Sequence, residues 1–300
     1  MSTTSDSIDA SASRRKGMAL VLFAGASWGV ISLFLRRLAS LGFTPMEIAA
    51  ARSILACLIL LCIVACVEPK ALRLRLKDAW CMFGCGVVSI SFFNLNYFYT
   101  IQHTTVNIAV TLLYTSPVFV AILSRIFLKE PFGKRKLAAL VSVTIGCALV
   151  SGMFNSNALR TLTPQVFLMG LASGFFYSLF SIFGRFAQDR GYSSLAITLW
   201  AFIFSAIVFT FFMDWQHVAH CVSQSPSSLF FAVGLALVST ILPYCAYTEG
   251  LKHLPASLAA IVATSEPIVG TLVGLLVFHE ALSWDAILGM FLVLGAMFIG

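Results

Sequence analysis

The chain has 300 residues, of which 59% are hydrophobic and 10% charged, with a formal net charge of +7. Soluble domains carry about 25% charged residues, so this composition excludes soluble dinucleotide-fold enzymes, disulfide scaffolds, disordered regulators and nucleic-acid readers. The excess of positive charge therefore points to loops beside a lipid bilayer, and no nucleic-acid partner is expected.

Apolar runs of about 20 residues, enough to cross about 30 Å of hydrocarbon, predict ten transmembrane helices. They cover residues 17–35, 44–67, 79–100, 104–128, 137–153, 164–187, 193–213, 229–250, 255–278 and 284–300. Residues 1–16 form a tail ending in Arg14, Arg15 and Lys16. In the first run Ala24-Gly25-Ala26 looks like a signal-peptide cleavage site, but apolar residues continue through Val30, Ile31, Leu33 and Phe34, so an uncleaved span is expected. In the second, Arg52 is poorly spaced from Glu47, which leaves snorkelling to the membrane surface, a partner on another helix or a role in the cavity. In the third, Asn96, Tyr99 and His103 share one helical face with Asn94 about 200° from Asn96, so only one asparagine can meet a given partner. The eighth carries Thr240, Tyr244 and Tyr247 on one face, then Glu249 three residues before Lys252, an interfacial pair. Seven of the eight cysteines lie in apolar stretches and read as small buried residues, whereas Cys221 falls in a polar loop. The His217-x-x-His220 pair in the 214–228 loop offers only two ligands, so no metal site and no cofactor are expected.

Basic residues test the count, because cytoplasmic loops collect Lys and Arg. With the N-terminus inside, inner segments hold Arg14, Arg15, Lys16, Lys70, Arg73, Arg75, Lys77, Lys129, Lys134, Arg135, Lys136, Arg185, Arg190 and Lys252. Outer loops hold only Arg36, Arg37 and Arg160, of which the first two form the one discordant pair. Both termini are therefore expected in the cytoplasm of a bacterial-type inner membrane.

The chain also repeats itself. At an offset of 150, Ser116-Pro117 falls on Glu266-Pro267, Glu130 on Glu280, His103 on His253 and Tyr97 on Tyr247. Nearer the front the offset is 149, matching Arg36 to Arg185, Gly42 to Gly191 and Trp28 to Tyr177. Two halves of five spans, 17–153 and 164–300 joined by the polar connector 154–163, must enter the membrane from opposite sides. The expected fold class is an all-α integral membrane protein with ten transmembrane helices arranged as two inverted five-helix repeats, an architecture suited to alternating access.

Ser27-Trp28-Gly29, the stretch Ala109 to Glu130 and, most specifically, Tyr247 to Glu280 with Gly289 resemble the drug/metabolite transporter superfamily, in particular its ten-span EamA type. The resemblance covers Lys16 to Gly300. It implies a secondary transporter with a central cavity between the halves, often an exporter of amino acids or related metabolites.

Within that frame the residues nominate their own roles. Glu266, eleven residues after Pro255, lies roughly 16 Å into the membrane. A carboxylate there costs about 2.5–3.5 kcal/mol on insertion scales, so it should face the interior, where protons are the candidate coupling ion. Pro117 and Pro267 each deprive a carbonyl, of Leu113 or Ala263, of its helical donor and should kink the fourth and ninth spans. Trp28, Asn96, Tyr97, Tyr114, Ser116, Tyr177, Tyr244 and Tyr247, with Trp200, are read as an aromatic and hydrogen-bonding lining for a small-molecule substrate. The pairs Gly25/Gly29, Gly170/Gly174 and Gly270/Gly274 permit close helix contact. An intramembrane enzyme is the main alternative, but its clustered catalytic groups are not spaced in this sequence. A passive channel is the third reading. No catalytic residues are assigned, and no nucleotide-binding loop appears.

Overall fold

Inside a bilayer a chain must satisfy its own backbone polar groups, and every regular element of this chain is a helix, with no strand among the described residues. The computed structural model describes the backbone of residues 2–153 and 162–299 and the side chains of residues 11–153 and 162–299. Most of the predicted connector, including Asn155, Ser156, Asn157 and Arg160, lies outside the described residues, as does Gly300.

Seven helical stretches are long and apolar enough to cross a membrane: Ser11–Ser40, Pro45–Val67, Leu76–His103, Val106–Phe127, Pro164–Asp189, Ser227–Gly250 and Ala256–Phe278. An eighth is reached if α10 (Ser194–Thr210) and α11 (Trp215–Gln224), bent by 100°, count as one span. The expectation of ten is thus not met by length. The predicted fifth, seventh and tenth runs form α8 (Lys134–Val150), α10 and α16 (Trp284–Ile299), of 17, 17 and 16 residues. At 1.5 Å per residue each reaches roughly 25 Å, short of a 30 Å core. The polar 214–228 loop contains α11, which the sequence reading did not expect; Asp214 caps it by accepting from the Gln216 and His217 amides.

Helix starts follow local chemistry. Thr44 and Glu47 form a reciprocal capping box with Pro45 at the first turn of α3 (Pro45–Val67), Thr163 precedes Pro164 in α9 (Pro164–Asp189), and Ser193 caps α10. Five of the long runs are interrupted. The first breaks at Val30 between α1 (Ser2–Gly29) and α2 (Ile31–Ser40). The fourth divides into α6 (Val106–Leu113) and α7 (Ser116–Phe127), and the ninth into α14 (Ala256–Ala263) and α15 (Ser265–Phe278), each immediately before its proline-bearing turn. The third passes from α4 (Ala79–Phe83) through a π-helical segment, Gly84–Ser91, into α5 (Phe92–His103). The eighth does the same from α12 (Ser227–Ala236) through Leu237–Ile241 into α13 (Leu242–Gly250). In both, a hydroxyl takes up a carbonyl of the widened turn: Ser91 donates to Gly86 O at 3.0 Å and Thr240 to Leu235 O at 3.1 Å.

Packing joins the two halves of the sequence throughout. α1 lies on α13 and on the α14–α15 break, while α9 lies on α5 and on the α6–α7 break; α3 packs on α10 and α8 on α16. Glycine permits the closest approaches. A methyl group at Gly29 would sit 2.8 Å from the Glu266 carbonyl oxygen, and one at Gly174 2.9 Å from that of Leu112. α8 and α16 likewise meet backbone to backbone through Gly146 and Gly289.

One end of the bundle is interlocked by polar contacts. Asp78 receives Arg75 at 2.8 Å and Arg190 at 3.3 Å, Ser193 donates to Glu68, and Ser194 and Lys252 both reach Glu249. Glu130 accepts from the Ala256 amide at 2.6 Å, from the Ser257 amide at 3.3 Å and from the Ser257 hydroxyl, so it caps α14 from the other half of the chain. At the opposite end Arg36 pairs with Glu280 at 2.6 Å and lies over the Phe278 ring, and Arg37 lies over Phe231. These contacts account for the two basic residues that the loop charges left unexplained. The cysteines divide differently from expectation: Cys62 and Cys66 face outward from α3, where lipid would meet them, and Cys221 is buried on α11.

Candidate functional site

Three breaks and one π-helical segment leave space at the centre of the bundle. A cavity of about 230 Å³ runs from there toward the 41–44 loop, where Leu35, Ala39 and Pro45 form its outer walls. A smaller space of about 30 Å³ continues toward the interlocked end, beside Pro117, Val120 and Ala260. Trp28, Tyr114, Tyr177, Tyr244 and Glu266 border both and form the layer that separates them.

That layer is held by ring contacts. Trp28 sits on α1 one residue before Gly29, so the close approach of α1 to α15 carries its indole inward. Its centroid is 5.4 Å from that of Tyr244, 5.6 Å from Tyr247 and 6.4 Å from Tyr177. Edge-to-face packing of Phe180 and Phe202 on Tyr244, at 5.0 and 5.1 Å, supports the layer from behind. Tyr247 hydrogen-bonds Ser181 of α9, within the second half of the chain, at 2.7 Å.

The break before Pro267 places Glu266 in the first turn of α15, where amides without helical partners favour a carboxylate. Around this carboxyl the cavity is lined by Arg52 of α3, Tyr97 of α5, Tyr114 at the α6–α7 break, Tyr177 of α9 and Tyr244 of α13.

The structure brings most of the nominated residues together. Trp28, Tyr97, Tyr114, Tyr177, Tyr244 and Glu266 line the larger cavity; Ser116, Pro117 and Tyr247 line the smaller. Pro267, the next residue after Glu266, is buried. Asn96 lines neither space. Its amide turns back to the Phe92 carbonyl at 2.7 Å, and the face it shares with Tyr99 and His103 is satisfied by its own backbone and by stacking of those two rings. The asparagine at the cavity is Asn94. Trp200 also lies elsewhere, donating to the Ala71 carbonyl. His217 pairs with Glu47 at 2.7 Å.

Arg52 follows one of the readings that its sequence position left open. Rather than snorkelling, it is 8% exposed and lines the cavity, with Nη2 3.5 Å from the Asn94 side-chain oxygen. Phe93, Asn94 and Tyr97 follow one stripe of α5 at i, i+1 and i+4. An Asn and a Tyr three residues apart in an apolar run were the signal available for this face.

The cavity therefore presents one guanidinium, one carboxyl, an amide and several aromatic faces. Neither space has a histidine among its lining residues.

The sequence profile described as the EamA-like transporter family matches residues 15–152 and again 165–299. An uncharacterized transporter of Helicobacter pylori (strain 26695) is 26% identical over 93% of this chain and 92% of its own. The uncharacterized transporter YyaM of Bacillus subtilis (strain 168) is 24% identical over 85% of this chain and 84% of its own. An uncharacterized transporter of Archaeoglobus fulgidus is 28% identical over 68% and 70%. A crystal structure shares the fold with a TM-score of 0.76 at 16% identity, covering 94% of this chain and 95% of that one. A double match to one family, on a chain whose described residues include seven helical stretches long and apolar enough to cross a membrane, makes this protein a multi-pass membrane transporter that belongs to the EamA-like transporter family.

Proposed function

We propose that the chain is a secondary transporter that exports a small metabolite, an amino acid or a related compound, from the cytoplasm by alternating access. The carrying observation is a cavity bordered by both halves of the chain that extends toward one end and stops, at Glu266 and its aromatic layer, before the interlocked end. A continuous pore, as a channel requires, is at odds with that layer.

The mechanism rests on ten spans in two inverted halves, 17–153 and 164–300. Three pairs of matched features support this reading. The equivalent glycines Gly25 of α1 and Gly174 of α9 pack on the equivalent proline breaks of the other half, against the carbonyls of Ala263 and Leu113. The third and eighth runs carry π-helical segments closed by equivalent hydroxyls. The acid that ends each fourth span, Glu130 or Glu280, is held by the opposite half. Short α8, α10 and α16 then complete the count in a locally thinned or tilted arrangement. The basic residues of the 68–78, 128–136, 185–190 and 252 regions support a cytoplasmic location for the interlocked end, with both termini there, in an inner membrane.

Glu266 is the proton carrier in this scheme: loaded from one side, it releases its proton when the cavity opens to the other. Counterflow in reconstituted vesicles tests the carrier, since substrate on the far side accelerates exchange only in a carrier. Glu266→Gln should abolish the dependence of flux on the pH gradient while leaving exchange; unchanged pH dependence removes Glu266 from the mechanism. Product formation instead of exchange would mark an enzyme.

A further inference from the structure

Among the described residues that line the cavity, Arg52 carries a buried polar atom with no hydrogen-bond partner. Arg52 lies on α3 seven residues from Pro45, about 10 Å along the helix, with over nine-tenths of its surface buried. Its Nε is buried with no acceptor, and its contact with Asn94, at 3.5 Å, is at the limit of a hydrogen bond. Among the described residues no carboxylate forms an ion pair with it, although Glu266 borders the same cavity. Asn94 is itself fixed, since its amide nitrogen donates to the Ile90 carbonyl at 2.7 Å, which keeps the side-chain oxygen turned to Arg52.

A planar fork of five donors with one weak acceptor is an unfinished site. Burying a cation without a partner is costly, and a carboxylate is the acceptor whose two oxygens match the fork. We infer that Arg52, steadied by Asn94, is the seat for a carboxylate on the transported molecule. The inference rests on the transporter reading and deepens it. The substrate binds with its carboxylate on Arg52, any ammonium group toward Glu266, and an apolar or aromatic body against Trp28 and Tyr177. A volume of about 230 Å³ sets its size below that of drug-like ligands.

The test is equilibrium binding to the purified full-length protein, followed by fluorescence of Trp28 on the cavity wall and by thermal shift. Three probes share one ring: L-phenylalanine, phenethylamine, which lacks the carboxylate, and 3-phenylpropionate, which lacks the ammonium. Both carboxylate probes should bind, and phenethylamine should bind roughly 30-fold more weakly than L-phenylalanine, the loss of a charge-assisted bidentate contact. Arg52→Gln should bring L-phenylalanine down to the phenethylamine level, with Arg52→Lys between. Asn94→Asp places a carboxylate against the guanidinium and keeps the protein folded if Arg52→Gln does not; it should erase the preference in the same way.

Equal affinity for the amine and the amino acid, discrimination that survives Arg52→Gln or Asn94→Asp, or failure of both carboxylate probes to bind would each overturn the inference. Counterflow of the cell's own metabolites in the same vesicles is read separately. Exchange that persists without carboxylate selectivity rejects the Arg52 seat alone, whereas absence of exchange rejects the transporter.

Discussion

Replacing Glu130 by glutamine keeps the size of the side chain that caps α14 and removes its charge. The carboxylate accepts from two amides and one hydroxyl of residues 256 and 257, and its cation partner among the described residues, Lys136, is 3.5 Å away. Glutamine keeps one acceptor oxygen and turns an NH₂ group toward the remaining donors. One charge-assisted hydrogen bond, about 1.5–3 kcal/mol, is lost together with about 0.3–1 kcal/mol of favourable charge at the helix start. Glu130 is only 12% exposed, so solvent screens little of this. At 1.4 kcal/mol per factor of ten, opening of the interlocked end should become roughly 30-fold more populated or more. The assay is the rate at which a polar thiol reagent modifies Ala260→Cys, on the wall of the smaller space, in a variant whose eight native cysteines are replaced. Glu280→Gln is the matched comparison. Its Arg36 pair is half-exposed and worth at most about 1 kcal/mol, so it should shift its own end about fivefold at most. Equal labelling with and without Glu130→Gln would refute the view that this carboxylate holds the end closed.

Gly174→Ala should lower the thermal midpoint by an amount equivalent to about 1–3 kcal/mol, because the new methyl meets the Thr115 hydroxyl at 2.7 Å and the Leu112 carbonyl at 2.9 Å; Gly133→Ala, with nothing within 4 Å, should leave it unchanged. Trp200→Phe removes the hydrogen bond to the Ala71 carbonyl and should cost about 1 kcal/mol of stability while leaving exchange rates alone, since this side chain borders neither cavity. Ser91→Ala and Thr240→Ala each remove a hydroxyl donor from a buried carbonyl, of Gly86 or Leu235, in or beside a π-helical segment; faster amide exchange confined to 86–91 or to 235–241 is the expected reading, and unaltered exchange in both would count against these hydroxyls as supports.

Much of the site was legible in the sequence because proline, glycine and a membrane-embedded acid constrain the backbone wherever they stand. Pro117 and Pro267 forecast both breaks, Gly25/Gly29 and Gly170/Gly174 forecast the contacts made there, and Glu266 was placed inside by the cost of exposing it to lipid. The phase of the third span was not legible. Helical periodicity says that Asn94 and Asn96 point apart but not which of them points inward; that is fixed by α3 and α9, far away in the chain. The place of Arg52 stayed open for a related reason, since its partner lies 42 residues on and its neighbours in sequence offer none. Hydropathy set the ends of the fifth and seventh runs too far along because apolar residues continue into turns at 151–153 and 211–213, where the helices have already ended.

The π-helical segment Gly84–Ser91 has a consequence for anyone who edits this helix. It accommodates one residue more than a regular α-helix of the same rise, so the stretch beyond it is turned by about 100° relative to the stretch before. A single-residue deletion there would straighten the helix and swing Asn94 and Tyr97 off the cavity, although neither had been altered. The same holds for Leu237–Ile241 and the two tyrosines that follow it. In both helices an insertion or deletion would do more damage to the cavity wall than most substitutions within it.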